Sequence, residues 1–166
     1  MEKRKIRKKL RSLLSLIMSA VLLAGMIPES VLAGGITTQT VLQAVQEADS
    51  GCNVAPPTIT SFQTSEEKNA SGNWTFSGTF TAVAGAETYE LHLGTMEANG
   101  SVYERGLYTL SKTATSFSLS PNWYDHTAVA GDTVYAALEA YVKTGSGSSE
   151  KWVSTGWQRL SEAIVG

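Results

Sequence analysis

The sequence predicts an all-β domain, an antiparallel two-sheet sandwich of about seven short strands, behind an export signal and a short leader helix. Three observations carry this expectation. From Thr58 onward, apolar residues recur with period two, the mark of strands with one face buried. Gly, Pro, Asn and Ser clusters break the chain into short segments, as in all-β folds. Helical spacing of apolar residues is confined to about 39–49.

The chain has 166 residues. Seven basic residues lie between Lys3 and Arg11, followed by an apolar stretch from Leu13 to Ile27 and then Val31-Leu32-Ala33. A basic region, an apolar region and a small-x-small end make a secretory signal peptide, residues 1–33, with cleavage after Ala33. The apolar stretch is shorter than the roughly 20 residues a membrane-spanning helix needs. The long basic region resembles export signals of Gram-positive bacteria. Leu23-Ala24-Gly25 is followed by Met26 and Leu32-Ala33-Gly34 by Gly35. Neither offers the cysteine that a lipid anchor requires, so the product is expected to be released outside the cell.

Residues 34–57 read as a leader. Val41, Leu42, Val45 and Ala48 have helical spacing, with Gly51 as a stop, which predicts a short helix at about 39–49. Pro56-Pro57 ends the leader, and a domain is expected over 58–160, with a tail at 161–166. The first strand is 58–63. In 74–82, Trp74, Phe76, Gly78, Phe80 and Ala82 share one face, and Thr75, Ser77, Thr79 and Thr81 the other. In 88–94, Tyr89, Leu91 and Leu93 point inward, Glu90 and His92 outward. Asn99-Gly100 signals a hairpin into 102–111, a strand expected to break at Gly106. Phe117 and Leu119 mark a strand at 116–120, and 121–132 is a longer connection. Strand 133–143 buries Val134, Ala136, Leu138, Ala140 and Val142. Gly145 to Ser149 is a turn, and a last strand is expected at about 151–160.

From about Pro56 to Leu160 the chain resembles a fibronectin type III domain, of immunoglobulin-like fold. The residues that carry the likeness are Pro56-Pro57-Thr58, the run from Phe80 to Leu91, Thr115 to Leu119, and Gly131-Asp132-Thr133 leading into 134–142. Phe80 stands where the family usually has a buried Trp, and Val134 where it usually has a corner Tyr. Placing Tyr135 there instead would turn Glu139 into the core. No Arg-Gly-Asp tripeptide occurs. The resemblance implies a spacer or protein-binding module and no chemistry.

Charge narrows the partners. The signal holds seven of the 13 bases and two of the 15 acids, leaving six against 13, a net charge of −7. An acidic surface disfavours nucleic acid and anionic membrane, so membrane contact is expected only through the signal before cleavage. Cys52 is the only cysteine, so an intrachain disulfide is impossible.

Catalytic chemistry finds little support. His92 and His126 are the only imidazoles, and Asp125-His126 are chain neighbours rather than a triad. Glu90 and Glu139 point outward from strands that adjoin in the resembled fold, but outward strand positions are ordinarily charged and solvated. No metal-ligand spacing is present, and neither catalytic residues, cofactor nor metal are expected. Asn69, Asn73 and Asn99 fit the glycosylation pattern and read as loop and turn residues. Aromatics remain. Trp74 belongs to the core, and Trp152 and Trp157, five apart, should face opposite ways. Trp123, Tyr124, Tyr135, Tyr141 and Trp152 are the candidate ligand-binding residues, since exposed aromatics anchor proteins or stack on sugars. The sequence therefore points to a secreted, non-enzymatic module that contacts an extracellular protein or surface, or alternatively to a carbohydrate-binding domain.

Overall fold

A computed structural model describes residues 40–123 and 126–166. The signal peptide, its cleavage point and Tyr124 lie outside the described residues. The described chain is all-β, with strands β1 (Val41–Leu42), β2 (Ile59–Thr64), β3 (Phe76–Phe80), β4 (Ala86–Met96), β5 (Val102–Ser111), β6 (Ser116–Leu119), β7 (Thr133–Thr144), β8 (Lys151–Ser154) and β9 (Ser161–Ile164). Two antiparallel sheets result. The smaller has the order β2-β3-β6; the larger has β1-β5-β4-β7-β8, with β9 also paired to β7.

The period-two pattern sets the faces. Tyr89, Leu91 and Leu93 from β4 and Val134, Ala136, Leu138 and Ala140 from β7 meet Phe76, Phe80 and Phe117 from the smaller sheet in one buried core. Phe80 packs edge-on against Tyr89, ring centroids 5.0 Å apart. The Tyr89 hydroxyl accepts the Val83 N–H at 2.8 Å, which ties the β3–β4 turn to the core. Trp74 is half-buried against this core and donates its indole N–H to the Ala128 carbonyl at 2.9 Å. The Asn99-Gly100 hairpin forms as expected: Gly100 has φ 82°, and Glu97 N–H reaches Ser101 O at 2.9 Å. Strand β5 runs through Gly106 unbroken. The irregularity is a bulge instead, in which Leu93 pairs with Gly106 and Gly94 with Glu104, leaving Arg105 as the extra residue.

Three expectations fail. First, no helix forms within residues 40–49. The stretch is an extended strap. Val41 and Leu42 pair with Tyr103 and Val102, Gln46 exchanges two 3.0 Å backbone bonds with Trp157, and Asp49 N–H bonds Ser154 O at 2.9 Å. A helix of ten residues is marginal on its own, whereas the edge of β5 offers unpaired backbone groups. Of the apolar residues that suggested a helix, only Leu42 is buried; Val45 is 54% exposed. Second, the last strand does not run straight over 151–160. It stops at Ser154, detours through Thr155 to Leu160 and resumes as β9. Third, residues 161–164, read as tail, are that resumed strand, with Val134 opposite Ala163 and Thr133 opposite Ile164; Val165 behind them is fully buried.

The detour depends on Gly156. Its φ is 61°, and a Cβ there would run into the Gln46 carbonyl. Only glycine suits both conditions. The strap and the detour are thereby pressed together, and Trp157 is inserted beneath them, 4% exposed.

Candidate functional site

The outer face of the larger sheet is where the chemistry-bearing side chains gather. Because β4 and β7 bury alternate residues in the core, Thr88, Glu90 and His92 point the other way, as do Tyr135, Ala137, Glu139, Tyr141 and Lys143. Register places Glu90 opposite Glu139, His92 opposite Ala137 and Leu107, Thr88 opposite Tyr141, and Lys143 opposite Trp152.

One half of this face is covered. The strap runs from the β5 edge, where Thr40 O accepts Glu104 N–H at 2.7 Å, to the β8 edge at Asp49. Leu42, Val102, Ala137 and Trp157 form a second small core beneath it, with Tyr135 and Leu160 packed alongside. The Trp157 indole donates to Gln43 O at 3.1 Å, and its ring lies 4.8 Å from that of His92.

At the margin of the cover sits a network of ionisable groups. His92 Nδ1 is 2.6 Å from Glu104 Oε2, and Nε2 is 3.0 Å from Glu139 Oε1. The hydroxyl of Ser154 donates to Glu139 Oε2 and accepts the Gly156 N–H at 2.8 Å. Asp49 Oδ2 accepts the Ser154 N–H at 2.7 Å, which joins the strap to the network. Tyr141 donates to Glu139 Oε1 at 3.5 Å. Burial disfavours charge on His92, but the bonds to Glu104 and Glu139 and the charges of both outweigh it, raising its pKa to about 9. Burial, with the charges of Glu139, Glu90 and Asp49 and a bond to Glu90, holds the Tyr141 phenol well above its ordinary value.

The network corrects the reading of Glu139 as a solvated strand residue, and it buries His92, expected only to point outward, beside it. Both point to the outer face, as the alternation requires, yet Glu139 is 2% exposed and His92 8%. Alternation identifies a face; it does not say what covers it. The strap that covers this one has helical spacing of its apolar residues, so the cover is invisible in the local pattern. The network also brings Glu90, His92 and Glu139 together as potential metal ligands, where the sequence offered no metal-ligand spacing: one donor atom from each lies within 4.8 Å of the others. The signal was available only as cross-strand register, not as a motif.

The four described aromatic candidates do not form one patch. Trp123 is 8% exposed, stacked on Phe76 at 5.4 Å and bonded through its indole N–H to the Tyr108 hydroxyl at 3.1 Å. It is a core residue, packed into the same buried cluster as Phe76. Tyr135 is half-buried against the small core under the strap. Trp152 and Tyr141 share the open half of the outer face, with Trp152 52% exposed and Tyr141 half-buried. Lys143 stands 6.0 Å from the Trp152 ring and 2.9 Å from Glu150. As expected for residues five apart, Trp152 is open where Trp157 is buried, although the detour rather than a straight strand separates them.

Elsewhere, a cavity of about 290 Å³ lies between Pro57–Thr60 and the stretch Gln158, Arg159 and Ser161, with Leu138 at its wall. Asn69 Oδ1 accepts the Ser71 and Asn73 N–H groups, and Asn99 Oδ1 that of Ser101, in keeping with turn roles. Cys52 is a partly buried free thiol. Comparison with protein-family models, with curated proteins and with solved structures yields no match to this chain.

Proposed function

We propose that this protein is an exported, non-enzymatic fibronectin type III-like module that contacts an extracellular protein through the open half of its larger sheet. The observation that carries the reading is the position of Trp152. It stands 52% exposed on an uncovered sheet face, beside half-buried Tyr141 and exposed Lys143. A large aromatic held on a rigid strand next to a mixed polar rim is the arrangement of a protein-contact anchor. The family reading draws support from β4 and β7 lying side by side, as the third and sixth strands do in the resembled fold. The non-enzymatic reading draws support from Ser154, whose hydroxyl bonds Glu139 and Gly156 rather than an imidazole. Export rests on the basic and apolar pattern of residues 1–33.

The carbohydrate alternative is weakened by Trp123, which lies in the core. The two readings separate experimentally. The full chain and its Trp152→Ala variant are screened against extracellular proteins and on a glycan array. One protein partner lost in the variant supports the proposal. Glycan binding lost in the variant favours the alternative, and hydrolysis of any polymer overturns the non-enzymatic reading.

A further inference from the structure

We infer that Glu90, His92 and Glu139 form a zinc(II) site at the seam between the covered and open halves of the larger sheet. One donor atom from each of the three lies within 4.8 Å of the others. Donors around a tetrahedral zinc ion, with bonds of about 2.0–2.2 Å, are separated by roughly 3.3–3.6 Å. Side-chain adjustment on the order of 1 Å therefore brings the three around one ion.

The surroundings favour a cation there. Glu90 and Glu139 stand directly opposite each other on neighbouring antiparallel strands, and Glu139 is almost fully buried. Like charges so placed repel, and an ion between them turns that repulsion into coordination. Glu104 occupies His92 Nδ1 at 2.6 Å. A carboxylate on one ring nitrogen fixes the tautomer and aims the other at a metal, and the other nitrogen, Nε2, already faces Glu139 at 3.0 Å. On binding, Nε2 bonds the ion and its proton leaves to solvent, while the Nδ1 proton stays in the bond to Glu104. Two carboxylates and a neutral imidazole then balance the two charges of the ion. The imidazole favours a transition ion such as zinc over calcium, since calcium takes six to eight oxygen donors. Half-buried Glu90 lies at the open side, which gives the ion a route from solvent.

The test is calorimetric titration of the chelator-stripped full chain with ZnCl2, alongside CaCl2. One zinc ion per chain is expected, with no comparable calcium binding. His92→Gln and Glu90→Gln should each weaken zinc by about 100-fold or more, and Glu104→Gln by about 10–100-fold. Glu90→Gln removes a charge without opening a cavity, so it reads the site even if His92→Gln fails to fold. His126→Gln and Cys52→Ser, which alter the other imidazole and the only thiol, should leave binding unchanged. Absence of one-to-one zinc binding overturns the site. So does binding indifferent to Glu90→Gln, binding lost in His126→Gln or Cys52→Ser, or calcium binding of equal strength.

Discussion

With metal ions chelated, the stability of this domain should fall as pH rises from about 6.5 to about 9, and His92 should carry the fall. Burial alone would favour the neutral ring. The bonds to Glu104 and Glu139 and the charges of both carboxylates reverse that, and the pKa stands at about 9 against an ordinary 6.5. The folded value lies above the unfolded one, so the charged imidazole stabilises the fold. That contribution is complete below pH 6.5, shrinks through the window and is gone above about 9. At about 1.36 kcal/mol for each pH unit between the two values, its ceiling is about 3 kcal/mol. The Tyr141 phenol, held above its ordinary value of 10.0, confines the experiment to pH below 10, where the unfolded phenol is still neutral. Urea unfolding in chelator at pH 6, 7.5 and 9 should show the decline, and His92→Gln should flatten it. NMR titration of the His92 ring gives the pKa directly, without a variant. A decline smaller than about 1 kcal/mol, a decline of equal size in His92→Gln, or a ring that titrates near 6.5 would refute the reasoning.

Three further outcomes follow from particular side chains. Trp123→Ala should cost about 3–5 kcal/mol in urea unfolding, because it empties a buried stack on Phe76, whereas Trp152→Ala should stay within about 0.5 kcal/mol; equal costs would place Trp123 outside the core. Gly156→Ala should cost more than about 1 kcal/mol, since φ is positive and the Gln46 carbonyl occupies the space of the new methyl, and amide exchange should show the strap loosening with it. N-terminal sequencing of chain released by an exporting host should begin at Gly34; an intact Met1 terminus on released protein would contradict a cleaved signal.

The strands were legible because each buries one side against a single core. In β7, Val134, Ala136, Leu138, Ala140 and Val142 are all buried, and their spacing alone stated as much. Val134, not Tyr135, is the residue that reaches the core. What sequence spacing could not carry was anything decided between distant segments. Gln46 meets Trp157 across more than a hundred residues, and Asp49 meets Ser154 likewise. In the strap, Val41, Leu42, Val45 and Ala48 have helical spacing, but Val41 and Leu42 pair with β5 and Gln46 with Trp157 in the detour, so tertiary pairing overrode the local pattern. The candidate site suffered the same fate. His92, Glu104 and Glu139 lie on three strands, and nothing in their chain spacing announces that they meet.

The strap and the detour close over apolar side chains at Leu42, Val102, Ala137 and Trp157, but the closure ends in charge at Glu139. A buried ion network is weak evidence of stabilisation, since apolar residues of similar volume often serve as well or better. A cover built for stability alone would extend the small core to the end of the strap. Instead the strap ends on Asp49, which holds the Ser154 N–H, and Ser154 holds Glu139. Asp49 thus positions a zinc ligand through Ser154 without reaching the ligand set itself. Asp49→Ala should therefore weaken zinc binding by about 10–100-fold, as loss of a supporting contact does, while Trp152→Ala on the open half leaves it unchanged. If Asp49→Ala lowers thermal stability but leaves zinc affinity intact, the strap is a cover only, and the seam at Glu139 owes nothing to it.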